Sequence, residues 1–216
     1  MSQNLLELLR LPGHTQADRI YGVVIGIVTN NKDPDRLGRV KVRFPWLSAS
    51  DESWWARVAT TMAGKERGTY FLPEVDDEVL LAFEHGDVRF PYVLGALWNG
   101  EDRPPETNDD GKNNKRTIRS RSGHIIRLDD SDGGEKIEII DKTGKDHISF
   151  DATARTITVQ AESDIRLESV RGNVIIRGQA IDIKSTAQDV TIEAAISMDV
   201  KAAAQMNIQG TIVNIN

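Results

Sequence analysis

The side chains best suited to chemistry are a cluster of carboxylates in the second half of the chain. Asp130, Asp132 and Glu135 lie in a short polar stretch with the composition of a calcium-binding loop. Counted from Asp130, however, the third ligand position falls on Gly134, and the position of the bidentate glutamate falls on Asp141. This spacing does not suit calcium. We therefore interpret the stretch as a solvated turn between two strands.

The remaining acid–base groups show no catalytic arrangement. The charged run Asp76–Glu78 precedes a predicted strand, and no histidine, serine or cysteine nucleophile is arranged with it. His14, His85, His124 and His147 are scattered, and none forms the i,i+2 or i,i+4 pair that places two ligands on one face of a strand or helix. The chain contains no cysteine, which excludes disulfides, thiolate metal sites and thiol nucleophiles. We expect no catalytic residue, no metal ion and no cofactor.

Short apolar strands repeat through the last third of the chain. Each unit consists of one residue that is usually polar or small, flanked by one apolar residue on each side. This is the alternation of a β-strand. Successive units begin 8, 9, 7, 9, 8 and 8 residues apart. So short a unit cannot bury its apolar stripe alone, and it must therefore stack on copies of itself.

The length of this repeat suits three chains wound around a common axis, each forming one wall of a triangular prism. It does not match a six-residue β-helix, and the glycine pattern of a nine-residue calcium roll is missing. We therefore predict an obligate homotrimer whose core is built between chains. The predicted trimer core consists of aliphatic side chains: Ile157, Val159, Ile165, Leu167, Val174, Ile176, Ile181, Ile183, Val190, Ile192, Met198, Val200, Met206 and Ile208.

Aromatic and proline residues divide the chain near residues 99–110. Only one of the twelve aromatic residues, Phe150, follows this boundary, and all seven prolines lie at or before Pro105. Proline cannot donate a hydrogen bond to a strand ladder, so a long proline-free segment suits continuous strand pairing. The predicted domains are an N-terminal helical docking segment (1–19), a barrel (20–100), a linker (101–122) and a shaft with its tip (123–216).

The first hundred residues predict a docking helix followed by a small closed barrel. Leu5, Leu6, Leu8, Leu9 and Leu11 lie on one face of a short helix, which packs either on its own domain or on a partner subunit. Strand alternation then recurs without helix signals between the strands. The predicted strands are 21–29, 38–44, 54–59, 69–73, 78–83 and 92–97, with Val40, Val42 and Phe44 inward and Met62–Gly64 in a loop.

Charge and hydropathy narrow the function classes further. The net charge is -6, and neither half of the chain is basic, so we expect no nucleic-acid binding. We place Trp46, Trp54, Trp55 and Trp98 in the barrel core or in collar contacts between chains. The first ten residues lack the pattern of a secretory signal peptide, so we expect synthesis in the cytosol and export only by another machine.

Several long runs resemble the VgrG and phage baseplate spike family, which includes the gpV-like baseplate assembly proteins. They are G-I-V-T-N-N-K-D-P-D-R-L-G-R-V-K-V-R-F-P-W-L at 26–47, the run from Trp54 to Gly100, I-R-S-R-S-G-H-I-I-R-L-D-D at 118–130, and D-K-T-G-K at 141–145. The resemblance extends from about Tyr21 into the repeats. It implies an all-β chain with an N-terminal OB-fold barrel followed by an intertwined trimeric triple-stranded β-helix.

The same resemblance implies a non-enzymatic central spike of a contractile tail or injection system. Its trimeric needle lies below the tail tube and a separate hub protein, and it pierces the outer membrane of the target cell on sheath contraction. Some short phage spikes hold iron through a terminal H-x-H motif, but Asn214 and Asn216 stand there in this chain, which implies a metal-free tip. We expect a PAAR-type tip protein to cover Val213, Ile215 and Asn216.

Two alternatives remain. One is a VgrG-like secretion spike that carries effectors, although the short segment before Tyr21 leads us to expect the phage-type spike without large hub domains. The other is a monomeric β-solenoid that binds carbohydrate, which would need longer rungs and a cleft of paired carboxylates.

Overall fold

The computed structural model describes residues 19–47 and 52–214, and it divides the chain into the compact units 1–162 and 163–216. Within the described ranges every regular element is a strand, except for one short 3-10 turn at Glu84–Gly86. The all-β class is therefore confirmed. None of the described residues belongs to a helix long and apolar enough to cross a membrane. The predicted N-terminal helix lies outside the described residues and stays a prediction.

The first part of unit 1–162 is a closed five-stranded barrel, as the sequence predicts. The barrel order is β1-β2-β3-β7-β6, with β3 and β7 parallel and the other neighbours antiparallel. A separate two-stranded hairpin joins β4 to β5. The strands are β1 (Val24–Asn30), β2 (Arg39–Arg43), β3 (Ala56–Val58), β4 (Ala63–Gly64), β5 (Arg67–Gly68), β6 (Glu78–Phe83) and β7 (Pro91–Ala96).

The hairpin β4–β5 differs from the prediction. The sequence predicts a loop at Met62–Gly64, but Ala63–Gly64 pairs with β5 across a two-residue turn in which Glu66 has φ 55°. The segment 69–73, predicted to be a strand, is irregular. Its backbone bonds go elsewhere: Thr69 donates to the Met62 carbonyl, and the Pro73 carbonyl accepts from the Asn31 side chain.

Strand alternation fills the barrel with aliphatic side chains and two phenylalanines. Val40, Val42 and Phe44 point inward as predicted, and the remaining core residues follow the same alternation on the other strands: Val28, Ala56, Val79, Leu81, Phe83 and Val93. At Gly26 the backbone comes so close to the core that an added Cβ would lie 2.4 Å from Leu81 Cδ1. The barrel interior therefore has no room for a larger side chain at that position.

The tryptophans are not part of this interior. Trp46, Trp54 and Trp98 are between 49% and 70% exposed, so the barrel-core assignment is wrong for these three. Trp55 lies outside the core as well, with the charged ends of Arg39 and Lys41 within 5.9 Å and 5.6 Å of its ring centroid. The small barrel is already filled by narrower side chains, which leaves the indoles on its surface. Their collar contacts stay a prediction.

The second part of unit 1–162 is a five-stranded antiparallel meander in the order β12-β11-β10-β9-β8. Each connecting turn contains one residue with positive φ: Gly123, Gly133, Gly144 and Arg155. The carboxylate stretch interpreted as a turn connects β9 to β10. Strand β8 falls within the segment predicted as a linker, and the domain boundaries stay a prediction. The strands are β8 (Lys115–Arg119), β9 (Ile125–Asp129), β10 (Lys136–Ile140), β11 (His147–Asp151) and β12 (Thr156–Gln160).

The unit 163–216 contains no helix or strand in the part that the structure describes. No strand is paired between residues 163 and 214, and the apolar side chains of the repeats are exposed. A single chain therefore does not provide this segment with pairing partners. The predicted triple-stranded β-helix is neither formed nor contradicted by one chain.

Candidate functional site

One face of the meander β8–β12 is a continuous apolar surface. The strand registers align five apolar residues in one row across the sheet and four in the next, where Arg116 of β8 takes the fifth place at the edge. All nine are between 38% and 68% exposed. We call this surface the apolar sheet face. Its first row is Ile118, Ile126, Ile139, Ile148 and Val159, and its second row is Leu128, Ile137, Phe150 and Ile157.

The opposite face of the same sheet is mostly polar, apart from Ile125 and Ile140 at one end, and its charged side chains are paired with one another. The register places Lys115, Asp129, Lys136 and Asp151 side by side on successive strands, so that charge alternates across the sheet. Opposite charges that face each other on neighbouring strands stabilise a sheet. The hydroxyl of Ser131 donates to Asp129 and keeps the pKa of that carboxyl below its ordinary value.

The preceding loop is fastened to this polar face through Glu106. Its carboxylate accepts a hydrogen bond of 2.7 Å from the Thr117 hydroxyl and lies 3.1 Å from the guanidinium of Arg127. The Thr117 bond and the nearby charge of Arg127 hold the pKa of Glu106 below its ordinary value. Arg127 also lies 3.7 Å from Glu138 on the adjacent strand. The charged groups of the polar face thus have partners within the chain, whereas the apolar sheet face remains largely exposed in the part of the chain that the structure describes.

The extent of the apolar sheet face distinguishes it from scattered surface residues. It spans all five strands, and a groove of about 490 Å³ runs over its first row. Soluble monomers rarely expose contiguous apolar patches larger than a few hundred Å², and larger patches mark interaction sites. The face is therefore a candidate assembly surface.

The predicted trimer-core residues fall in both units. Ile157 and Val159 lie on β12 and belong to the apolar sheet face, beside Phe150 and Ile148 of β11. The other twelve lie in segment 163–214, where their side chains are exposed. No strand pairing is formed within this segment. Val213 is described and exposed, whereas Ile215 and Asn216 lie outside the described residues. The core and tip roles stay predictions.

Sequence reasoning missed seven members of the apolar sheet face, those on β8 to β11. Their signal was present: I-I-R-L-D, K-I-E-I-I and H-I-S-F-D show the same alternation of apolar and polar residues as the repeats. The fixed period of the repeats begins only at β12, because the loops between β8 and β11 vary in length. The alternation itself was the useful signal.

His124 and Asp141 hydrogen-bond to the backbone of turns and have structural roles. His124 Nδ1 accepts the backbone N–H of Lys142 at 3.1 Å. The carboxylate of Asp141 accepts the backbone N–H of Thr143 at 3.0 Å, and this bond is the main cause that lowers its pKa to about 2. Among residues 19–47 and 52–214 no group of three or more histidines and carboxylates could hold a metal ion, and His14 lies outside them.

The barrel assigns the chain to a class of protein. Residues 24–98 match the family described as the type VI secretion system and phage-baseplate injector OB domain, and they coincide with the closed barrel from β1 to just beyond β7. The chain therefore carries an injector OB domain and is similar to VgrG spike proteins.

Curated relatives extend the match past the barrel. The type VI secretion system spike protein VgrG1a of Pseudomonas aeruginosa is 31% identical over 137 residues, which cover 58% of this chain and 21% of VgrG1a. VgrG5 of the same organism is 33% identical over 141 residues, covering 60% of this chain and 17% of VgrG5. The actin cross-linking toxin VgrG1 of Vibrio cholerae is 26% identical over 170 residues, covering 76% of this chain and 14% of the toxin. The chain thus matches about a fifth or less of the length of these relatives.

Proposed function

We propose that this chain is the non-enzymatic central spike of a contractile tail or injection system, and that three copies form its needle. The observation that carries the proposal is the apolar sheet face, which no other element covers among residues 19–47 and 52–214. Three such faces turned toward a common axis would bury one another and leave the three charged faces in water. The repeats of residues 163–214 present the same alternation and would extend the core.

The turns support the proposal that strands pair within the chain up to β12 and between chains beyond it. Tight hairpins need residues with positive φ, and each turn of the meander has one. Among the described residues after Arg155, none has a positive φ. Residues 161–214 therefore lack the positive-φ residues of the two-residue hairpin turns, which favours pairing of their short strands with other chains.

Burial of the apolar sheet face would contribute substantially to the stability of an assembly. The side chains of the apolar sheet face are roughly half exposed, and full burial of an aliphatic side chain contributes about 1.5–3 kcal/mol. Burying the exposed half of each would contribute about 1 kcal/mol per residue. Nine residues give roughly 9 kcal/mol per chain, before the cost of lost translational freedom and side-chain ordering.

The mechanism requires stiffness and no active site. In an interwound needle a strand leaves only if many inter-chain hydrogen bonds and buried aliphatic contacts break together, so the needle can transmit the force of sheath contraction into an outer membrane. The barrels would form a collar below a hub protein, and a PAAR-type protein would cover the tip at Val213–Asn216. We place the protein in the bacterial cytoplasm until it assembles into the particle.

The test is the molar mass of the purified chain by light scattering, unheated and at modest dilution. The expected mass is three times 24.0 kDa and unchanged by mild detergent. A stable monomer of 24.0 kDa would overturn the proposal, because the apolar sheet face would then be stable in water.

A second candidate function is a type VI secretion spike, which the similarity to VgrG spike proteins favours. The two candidates share the trimeric needle and differ in the particle. A protein that co-purifies with phage or tailocin particles supports the baseplate spike. Release into the medium that depends on type VI secretion genes supports the secretion spike.

A further inference from the structure

The outer wall of the barrel has an apolar patch of its own. Ile25 of β1 is 44% exposed and pairs with Leu80 of β6, whose side chain alternates to the outside. A register shift beside Leu80 leaves Leu94 of β7 exposed on the neighbouring strand. The indole of Trp46 donates a 3.3 Å hydrogen bond to the Ile25 carbonyl, which fixes the ring beside this strand. Together with Val23 these residues form what we call the barrel patch.

The chain enters the barrel close to this patch, at a fixed point. The backbone N–H of Ile20 donates to the Gly86 carbonyl at 2.9 Å, and the Arg19 guanidinium donates to the His85 carbonyl at 3.1 Å. Ile20 also packs against the barrel core. Gly86 has φ 76°, and an added Cβ would lie 3.2 Å from the Ile20 carbonyl oxygen and 3.2 Å from Arg19 Cβ. The entry of residues 19–20 therefore depends on the absence of a side chain at position 86.

We propose that the leucine-rich segment 5–11 of the same chain covers the barrel patch. The segment reads L-L-E-L-L-R-L, so five of its seven residues are leucine. Eight residues separate Leu11 from Ile20, and the patch begins three residues after Ile20. At roughly 3.3 Å per extended residue, the connection reaches about 26 Å from the clamped residue, which is ample to fold back over β1.

The chain's own segment suits this surface better than a second copy does. A short tether raises the local concentration of the segment to the millimolar range, whereas a second molecule must be recruited from dilute solution. The patch is also smaller than the apolar sheet face and lies on the barrel, outside the strands that the repeats extend. The inference does not rest on the trimeric needle, because a monomeric chain would also have both the segment and the patch.

Thiol labelling tests the proposal, since the chain contains no cysteine. Val23→Cys places a single thiol in the barrel patch, and its labelling rate with a maleimide is measured on the full chain. Replacing Leu5, Leu6 and Leu9 together with serine should raise that rate by about tenfold or more, as expected for a site covered at least nine-tenths of the time. The matched control, Glu7→Ser, changes the same segment without removing a leucine and should leave the rate unchanged.

Two further measurements keep the outcome decisive. A thiol introduced by Tyr70→Cys, at a position 76% exposed and away from the patch, should react at the same rate in all backgrounds. Gly86→Ala, which displaces the clamped residues, should raise the labelling rate of the thiol in the barrel patch, whereas Gly100→Ala, where nothing lies within 4 Å, should not. Equal labelling rates of the patch thiol with and without the leucines overturn the proposal. So does protection that disappears on dilution, because a second copy would then be the occupant.

Discussion

A single lysine at the centre of the apolar sheet face should abolish the assembly of the needle. Ile139 lies on β10, the middle strand, between Ile126 and Ile148, and is 49% exposed. Burying the exposed half contributes about 1 kcal/mol per chain, or roughly 3 kcal/mol for three chains. Ile139→Lys removes that contribution and places an unpaired ammonium in each interface, at a cost of several kcal/mol per ion. Since about 1.4 kcal/mol is a factor of ten in an equilibrium constant, the trimer should be lost at micromolar concentration.

The matched control places the same charge on the other side of the sheet. Ser149 lies on the polar face and pairs across the strands with Glu138, so a lysine there gains an opposite charge. Light scattering over a dilution series should give three times 24.0 kDa for Ser149→Lys and a monomer for Ile139→Lys. Circular dichroism should show that both variants are folded β proteins. A folded Ile139→Lys variant that stays trimeric over the same dilution would refute the inter-chain burial of this face.

Three other predictions test the repeats, the barrel and a turn. Ile192→Asp should prevent trimer formation because it places a charge in the predicted core, whereas Thr191→Asp, one residue earlier, should leave the molar mass unchanged. Gly26→Ala should lower the free energy of unfolding by about 1–3 kcal/mol through overpacking, while Gly95→Ala, with nothing within 4 Å, should not; urea unfolding measures both. The pKa of Asp141 is lowered to about 2, so its stabilising contribution is complete above the ordinary carboxyl range near 4 and is lost as the pH falls toward 2. The melting temperature of Asp141→Asn should therefore lie below that of the wild type at pH 7 and converge with it between pH 4 and pH 2.

The sequence predicts most of the barrel because each strand with alternating apolar and polar residues pairs with another strand of the same chain. Val40, Val42 and Phe44 point inward as their spacing requires, and the strands beginning near residues 78 and 92 close the barrel. The placement of Trp46 and Trp98 could not be predicted in the same way. Both are bulky apolar residues, so their type alone suggests burial. The volume of the interior, however, depends on the number of strands in the barrel and on the other inward side chains, and these are properties of the whole barrel.

The meander was harder to predict because the alternation of apolar and polar residues identifies the apolar face of a strand but does not identify the strand that pairs with it. The loops D-D-S-D-G-G and D-K-T-G contain the aspartate and glycine residues typical of hairpin turns, and they separate strands of matched length. These turn residues, together with the alternation, predict pairing within the chain. Beyond Arg155 the alternation continues without such turn geometry, and there the sequence predicts assembly without giving the register between chains.

The two faces of the meander specify the same register independently. A shift of one residue in β10 would turn Lys136 and Glu138 toward the apolar rows and would remove the opposite charges that face each other across the strands. The polar face, with Arg127 placed between Glu106 and Glu138, therefore stabilises the register without any contribution from the apolar sheet face. Folding of the sheet and association of the chains consequently depend on different side chains. For that reason Ile139→Lys is expected to abolish association while leaving the sheet folded, and the comparison with Ser149→Lys separates the two processes.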